Sequence, residues 1–459
     1  MIIAGLSGGS GKSVASVGIT AAFQQMGKII SPFKKGPDYI DAGWLQLAAG
    51  RPCYNLDPYL MDKETIRLSC QSHARGSDMV IMEGNRGLFD GVDVAGSYST
   101  AELASILGLP VLLVVDCTKM TRTVAALILG CRAFDPNLSI KGCVLNRIGS
   151  GRHEKIIRQA VEQYTDVRVV GALPRQKRDI FPQRHIGITP CPEFDGAADA
   201  VNRLAELVRE NVDLHLVEEL MVEIAIPADP EGQRERERNS AEAKNREFRV
   251  GVLKDAAFQF YYPDNLHDLE ARGAKLVEIN ALEAEELPEL DGLYIGGGFP
   301  ETSARQLAGN TAFLKSIRGA IENGLPVYAE CGGLIYLGQG MRLAGEYFPL
   351  VGIFPVVFEM MEKPQAHGYT VLEVAGENPF YEKGTQIKGH EFRYSKVAEW
   401  SGDSKQLTLS MKRGVGFIDG RDGLVYKNTL ALYTHIHALG TPDWAESFIR
   451  RVRKEISGQ

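Results

Sequence analysis

The chain is 459 residues long, 44% hydrophobic and 24% charged, which is more than one hydrophobic core usually supports, so two domains are expected. A formal net charge of −7 without any basic block excludes nucleic acid as an expected partner, and the longest apolar runs, such as Leu109–Cys117, are too short to span a bilayer. Seven cysteines, an odd number with no C-x-x-C pair, argue against a disulfide framework or zinc site. With no signal peptide in "MIIAGLSGG", the expectation is a soluble, reduced, cytoplasmic protein.

In chain order, apolar strand-like runs fall at Met1–Leu6, Asp78–Gly84, Pro110–Cys117, Lys141–Ile148 and Arg168–Pro174. Helical stretches such as Ser99–Gly108 and Thr121–Phe134 lie between them. The stretch Ile226–Phe248 is charged and nearly free of large apolar residues, which reads as a linker. Strands resume at Arg249–Asp255, Lys275–Asn280, Gly292–Gly298 and Pro326–Cys331. This alternation predicts an α/β protein of two doubly wound domains. The expected division is 1–225, a linker 226–248, and 249–459.

"MIIAGLSGGSGKS" runs from a strand into a glycine-rich turn and then a helix. In that context the backbone N–H groups of Gly8, Gly9, Ser10 and Gly11 face phosphates. Lys12 reaches the terminal phosphates, and the Ser13 hydroxyl takes Mg²⁺. The strict phosphate-loop pattern puts its first glycine at Leu6, whereas here it is Gly5. That spacing resembles the dethiobiotin synthetase-like branch of these ATPases. Ser7 stands where the dimeric partition ATPases carry a lysine, which weighs against that class. ATP is the expected co-substrate.

Three further stretches should sit at strand ends beside this loop. "FKKGPDYID" offers Lys34, Asp38 and Asp41, "MEGNRGLFDG" offers Glu83 and Asp90, and "VVDCTKMTR" offers Asp116. Mg²⁺ takes one or two carboxylates together with substrate phosphates, so Glu83 and one of Asp38 or Asp41 are its candidate protein ligands beside Ser13. Asp116 reads equally well as a helix cap.

In the second half, Cys331 follows the strand "LPVYAE" and precedes "GGLIYLGQGM", whose apolar spacing is helix-like. A nucleophile on such a strand-to-helix turn projects from the sheet, with a helix N-terminus to favour thiolate and oxyanion. "ALYTHIHALG" supplies His435 and His437 as candidate bases, two apart on one strand face. The glycines of "YIGGGFPE" offer N–H groups for an oxyanion hole. Cys53, Cys70, Cys117, Cys131, Cys143 and Cys191 lack this context and read as core or loop thiols.

The cysteine elbow and late histidine resemble the class I glutamine amidotransferases. Many of those end in His-x-Glu, the glutamate orienting the base; here His437 holds that place, and His435 is the favoured base. Taken with the phosphate loop and the stretches "FKKGPDYID", "EGNRGLFDG", "AFQFYYPDNL", "YIGGGFPE", "ECGGLIYL" and "GHEFRYS", the chain resembles the cobyrinic acid a,c-diamide synthase family almost end to end. The resemblance implies a C–N ligase of cobalamin biosynthesis. ATP and Mg²⁺ would activate the c and then the a acetate of a corrin precursor as an acyl phosphate, and ammonia from glutamine would displace the phosphate. It assigns ATP, metal and carboxylate activation to Lys12, Ser13, Asp38, Asp41, Glu83 and Asp90. Asn146 is either an adenine-recognising amide or a structural strand-end amide. Arg86 and Arg393 depart from the family pattern and suggest extra recognition of substrate carboxylates. The alternatives are a sirohydrochlorin-type tetrapyrrole as substrate, or a P-loop ATPase module that amidates nothing. The sequence leaves a homodimer open.

Overall fold

A computed structural model describes residues 1–176, 180–181, 183–184, 187–225 and 248–457. The chain divides into two compact units, Met1–Ala228 and Asp229–Gln459. The expected linker, 226–248, lies outside the described residues except for Phe248, which opens a strand.

The first unit is built on seven strands: β1 (Ile2–Gly5), β2 (Ile30–Lys35), β3 (Tyr54–Leu56), β4 (Met79–Glu83), β5 (Val111–Asp116), β6 (Ile140–Ile148) and β7 (Arg168–Pro174). They form one sheet in the order β3-β2-β4-β1-β5-β6-β7, with every pairing parallel. β1 and β4 are buried along their whole length, as strands covered by helices on both faces must be. Helix starts are capped where the sequence supplies a short polar side chain: Asp62, Ser99 and Ser150 each accept an N–H from the first turn they precede. A short hairpin, β8 (Gln183–Arg184) with β9 (Gly187–Ile188), follows the sheet. Nearby, the buried indole of Trp44 donates to Thr189 O at 3.0 Å.

The second unit opens with β10 (Phe248–Leu253), β11 (Ala274–Ile279), β12 (Gly292–Ile295) and β13 (Val327–Glu330). It continues through β14 (Gly338–Leu343), β15 (Glu346–Pro349), β16 (Phe354–Met360), β17 (Ala366–Val374), β18 (Gln386–Arg393) and β19 (Ser395–Trp400), then β20 (Leu407–Arg413), β21 (Arg421–Tyr426), β22 (Thr429–Leu432) and β23 (His435–Ile436). The main sheet runs β11-β10-β12-β13-β22-β21-β20-β17-β18-β23, and β15-β14-β16-β19 forms a smaller one. The β11-to-β22 part is parallel, as expected of a doubly wound domain. From β22 onward the pairing is antiparallel, an extension that periodicity did not reveal. The helix expected after Cys331 spans only Gly332–Leu337 before β14 begins at Gly338. One face of the sheet packs on the C-terminal helix Asp443–Ser457 through Trp444, Phe448 and Val452, against Tyr294 and Tyr328. Trp444 is 1% exposed, a burial worth several kcal/mol on the scale of aromatic truncations.

Candidate active sites

In the first unit the carboxyl ends of β1, β2 and β4 are neighbours. Lys34 on β2 stands in register with Glu83 on β4, so the sheet itself brings ammonium and carboxylate together. Lys34 Nζ is 2.7 Å from Asp41 Oδ2, 3.0 Å from Glu83 Oε1 and 4.0 Å from Asp38 Oδ2. Burial alone would push Lys34 down, but Asp41, Glu83 and Asp38 reverse it and hold the ammonium charged far above its usual range. Burial works against the charge of Asp41 too, and Lys34 overrides it, keeping that carboxyl below its ordinary value. Burial and the Asp41 charge push Asp38 up to about 7.

Ser13 Oγ donates to Glu83 Oε1 at 2.9 Å and lies 3.5 Å from Asp41 Oδ1. Ser16 donates to the other oxygen of Glu83. Asp38 is turned differently, its Oδ1 accepting Asp41 N–H at 3.0 Å. The hydroxyl of Ser13 with the carboxylates of Asp41 and Glu83 is a set of hard oxygens that suits Mg²⁺. Among the described residues no group of three or more His, Cys, Asp and Glu is placed to hold a metal ion by itself. Asp90 Oδ2 accepts Gly87 N–H at 2.9 Å, which shapes its own loop, while its charge acts on Lys12.

The phosphate loop turns through Gly9 and Gly11, both with positive φ, and Lys12 Nζ donates to Ser7 O at 3.0 Å. The displaced glycine has a physical reason: a Cβ on Gly5 would collide with Ser10 Oγ. Asn146 Nδ2 donates to Ser10 O at 2.8 Å, and its Oδ1 accepts Arg147 N–H at 2.9 Å. Both ends of the amide therefore hold backbone. Asp116 accepts from Thr118 N and pairs with Arg147.

In the second unit Cys331 has φ 46 and ψ −96, a left-handed conformation costly for a residue with a Cβ and typical of functional elbows. Its N–H donates to Leu432 O at 2.8 Å. His435 is close enough to Cys331 for the thiol to act on its charge, and it packs against Gly297, where a Cβ would strike the imidazole. Burial opposes protonation of His435, but Cys331 and Glu330 overcome it and raise the imidazole to about 10. His435 Nδ1 stands 3.3 Å from Glu330 Oε2. His437 does not join it: the chain leaves β23 after Ile436, and His437 Nε2 lies 3.4 Å from Asp264 Oδ2. Gly298 N lies 3.0 Å from where a Cβ on Gly332, the residue after Cys331, would stand. The other cysteines are free, and all but Cys191 are buried.

Two residues escaped the sequence reading. Glu330 was passed over because a glutamate ending a strand looks like surface charge. His390, buried in "GHEFRYS", stacks on His435 with ring centroids 5.0 Å apart, a proximity only the pairing of β18 with β23 creates. The expectation for Arg393 is corrected. It lies on β18, 6% exposed, and donates to Ser395 O and Gly416 O. Its guanidinium is spent on the protein and is not offered to a substrate carboxylate. Arg86 is exposed, with φ 51.

A phosphate-loop unit and a cysteine–histidine amidotransferase unit in one chain are the makeup of a glutamine-dependent ligase. Residues 1–187 match the family of CobQ/CobB/MinD/ParA nucleotide binding domains, and residues 249–442 match the CobB/CobQ-like glutamine amidotransferase domains. The chain is 42% identical over 446 residues to a cobyrinate a,c-diamide synthase of Magnetococcus marinus, covering 97% of this chain and 95% of that one. It is 38% identical to that of Archaeoglobus fulgidus, covering 99% and 98% respectively. The chain belongs to the cobyrinate a,c-diamide synthase family.

Proposed function

We propose that the chain uses ATP and glutamine to amidate the a and c acetate groups of a corrin precursor in cobalamin biosynthesis. The Cys331–His435 pair on its strained elbow is the observation that carries this reading, since a phosphate-loop ATPase alone has no use for it. His435 takes the proton of Cys331, and the thiolate attacks the side-chain amide carbon of glutamine. The tetrahedral oxyanion forms beside the Gly298 N–H. His435 then returns the proton to the departing nitrogen, releasing NH₃ and leaving a thioester on Cys331. Water attacks the thioester, giving glutamate and the free thiol.

In the first unit the substrate carboxylate attacks the γ-phosphorus of ATP and ADP leaves; NH₃ then attacks the acyl carbon of the acyl phosphate, phosphate departs, and the nitrogen gives up a proton to leave the amide. Ser13, Glu83 and Asp41 would hold Mg²⁺, which neutralises phosphate charge when bound. Asp38 would orient that set through its bond to the Asp41 N–H. Lys12 and Lys34 place fixed positive charge where the transferring phosphoryl group gathers negative charge, and Asp90 fixes the loop that faces Lys12. Gly8, Gly9, Ser10 and Gly11 supply backbone N–H groups to the phosphates. We assign residues 1–225 to the ligase step, 226–248 to the linker and 249–459 to ammonia release. We assign the enzyme to the cytoplasm, where ATP and glutamine are supplied and seven free thiols stay reduced.

The test is mass spectrometry of cobyrinic acid incubated with the protein, ATP, Mg²⁺ and glutamine. Two successive mass changes of acid to amide are expected. Amidation of a sirohydrochlorin-type tetrapyrrole in its place would reassign the macrocycle, and ATP turnover without glutamate release would overturn the reading.

A further inference from the structure

An amidotransferase histidine needs a partner on its far nitrogen to fix its tautomer and to carry the imidazolium that forms during the reaction. The position two residues after His435, where a glutamate would do this, holds His437, which is occupied with Asp264 3.4 Å away and packs 4.5 Å from the Tyr262 ring. We propose that Glu330, the residue immediately before the nucleophile, is the positioning carboxylate of His435, so that nucleophile and orienting group are consecutive in the chain. This inference rests on reading Cys331 and His435 as the glutamine-hydrolysing pair.

Glu330 closes β13 and is 0% exposed. A carboxylate so buried is costly unless it is paired or fully hydrogen-bonded. Oε2 faces His435 Nδ1 at 3.3 Å, which leaves Nε2 for the thiol. Oε1 accepts the Tyr294 hydroxyl at 3.2 Å. Tyr294 in turn accepts from Asn265 Nδ2 at 3.3 Å. The same Asn265 donates to Ile436 O at 3.0 Å and accepts Ala438 N–H at 2.7 Å. One buried network therefore holds the carboxylate and the backbone on the C-terminal side of the histidine. Burial raises Glu330, and the His435 contact opposes that rise. In the cycle Glu330 stays a carboxylate. It accepts Nδ1–H throughout, and the only proton that moves is the one on Nε2.

The test uses the full chain and measures glutamate release and ammonia-dependent amidation separately. Glu330→Gln keeps the shape and removes the charge. It should lower kcat for glutamine hydrolysis by about a hundredfold or more, within the range of general-base contributions, with KM for glutamine within about twofold of wild type. Glu330→Asp should recover part of that loss. Tyr294→Phe, which removes a single donor to Glu330, should cost severalfold in kcat. An unchanged kcat in Glu330→Gln, or a raised KM with kcat kept, overturns the proposal. If Glu330→Gln also loses ammonia-dependent amidation, its fold has failed, and Tyr294→Phe decides: an unchanged kcat there overturns the proposal. Failure of the underlying reading shows elsewhere, as wild-type protein that releases no glutamate from glutamine.

Discussion

Arg393 lies over Tyr433, its guanidinium carbon 3.9 Å from the ring centroid. The same arginine is 3.6 Å from Glu391 Oε2, and Glu391 accepts the N–H groups of Val415 and Gly416. Arginine, glutamate and tyrosine thus tie the 414–416 loop to β18 and to the strand end bearing Tyr433. Replacing Arg393 by Met would leave Glu391 buried without its cation, a change that costs about 3–5 kcal/mol. Thermal unfolding should register that loss as a lower Tm for the variant, while KM for the tetrapyrrole stays at its wild-type value. A raised KM without any change in Tm would return Arg393 to the substrate.

Cys331→Ala should abolish glutamine-dependent amidation and leave ammonia-dependent amidation largely working. In the proposed function the thiol serves one hydrolysis, and the residues assigned to carboxylate activation belong to the other unit. Assaying the variant with glutamine and then with ammonium at mildly alkaline pH reads both. Equal loss with the two donors would refute a separate ammonia-releasing site.

Glu83→Gln should depress amidation with either donor, by about 10²-fold or more, the usual loss when a preorganised charge is removed from such a site. Glu83 receives Ser13, Ser16 and Lys34 together, so an amide in its place also leaves Lys34 short of an anion. Chelation of Mg²⁺ should reproduce the loss of amidation. Ammonia-dependent rates that survive the substitution would remove Glu83 from the site.

Gly297→Ala should displace His435 without replacing any titratable residue, because the new methyl occupies the space of the imidazole ring. Glutamine hydrolysis is expected to fall at least tenfold, since a displacement of the base by about 1 Å can cost 10²-fold. Normal hydrolysis in this variant would mean that the imidazole has room to move and still react.

The parts legible in the sequence were those whose local pattern matches their final environment. β1, β4 and β5 are continuous apolar runs because both faces are covered, and Gly11-Lys12-Ser13 has one structural use after such a strand. β2, "ISPFKK", was missed because Ser31, Pro32 and two lysines look like a loop. It is a strand because it pairs with β4, which sets Glu83 beside Lys34. Arg393 and Glu330 misled for the same reason: a charged side chain declares its partner only after distant strands pair. The antiparallel wing from β17 to β21 was hidden by its half-exposed strands, whose alternation is broken by glycines and bulges.

The backbone contact between Cys331 and Leu432 has a consequence in time. Leu432 is the register partner of Glu330 on β22, and only Tyr433 and Thr434 separate it from His435. Thiol and imidazole are therefore carried by one rung of the central ladder, and fluctuations that part that rung must break the middle of the sheet. Amide hydrogen exchange at Cys331 should be among the slowest in its unit, approaching the rate set by global unfolding. Any opening of nearby loops to admit glutamine is then expected to run on a clock separate from the one that holds Cys331 and His435 together.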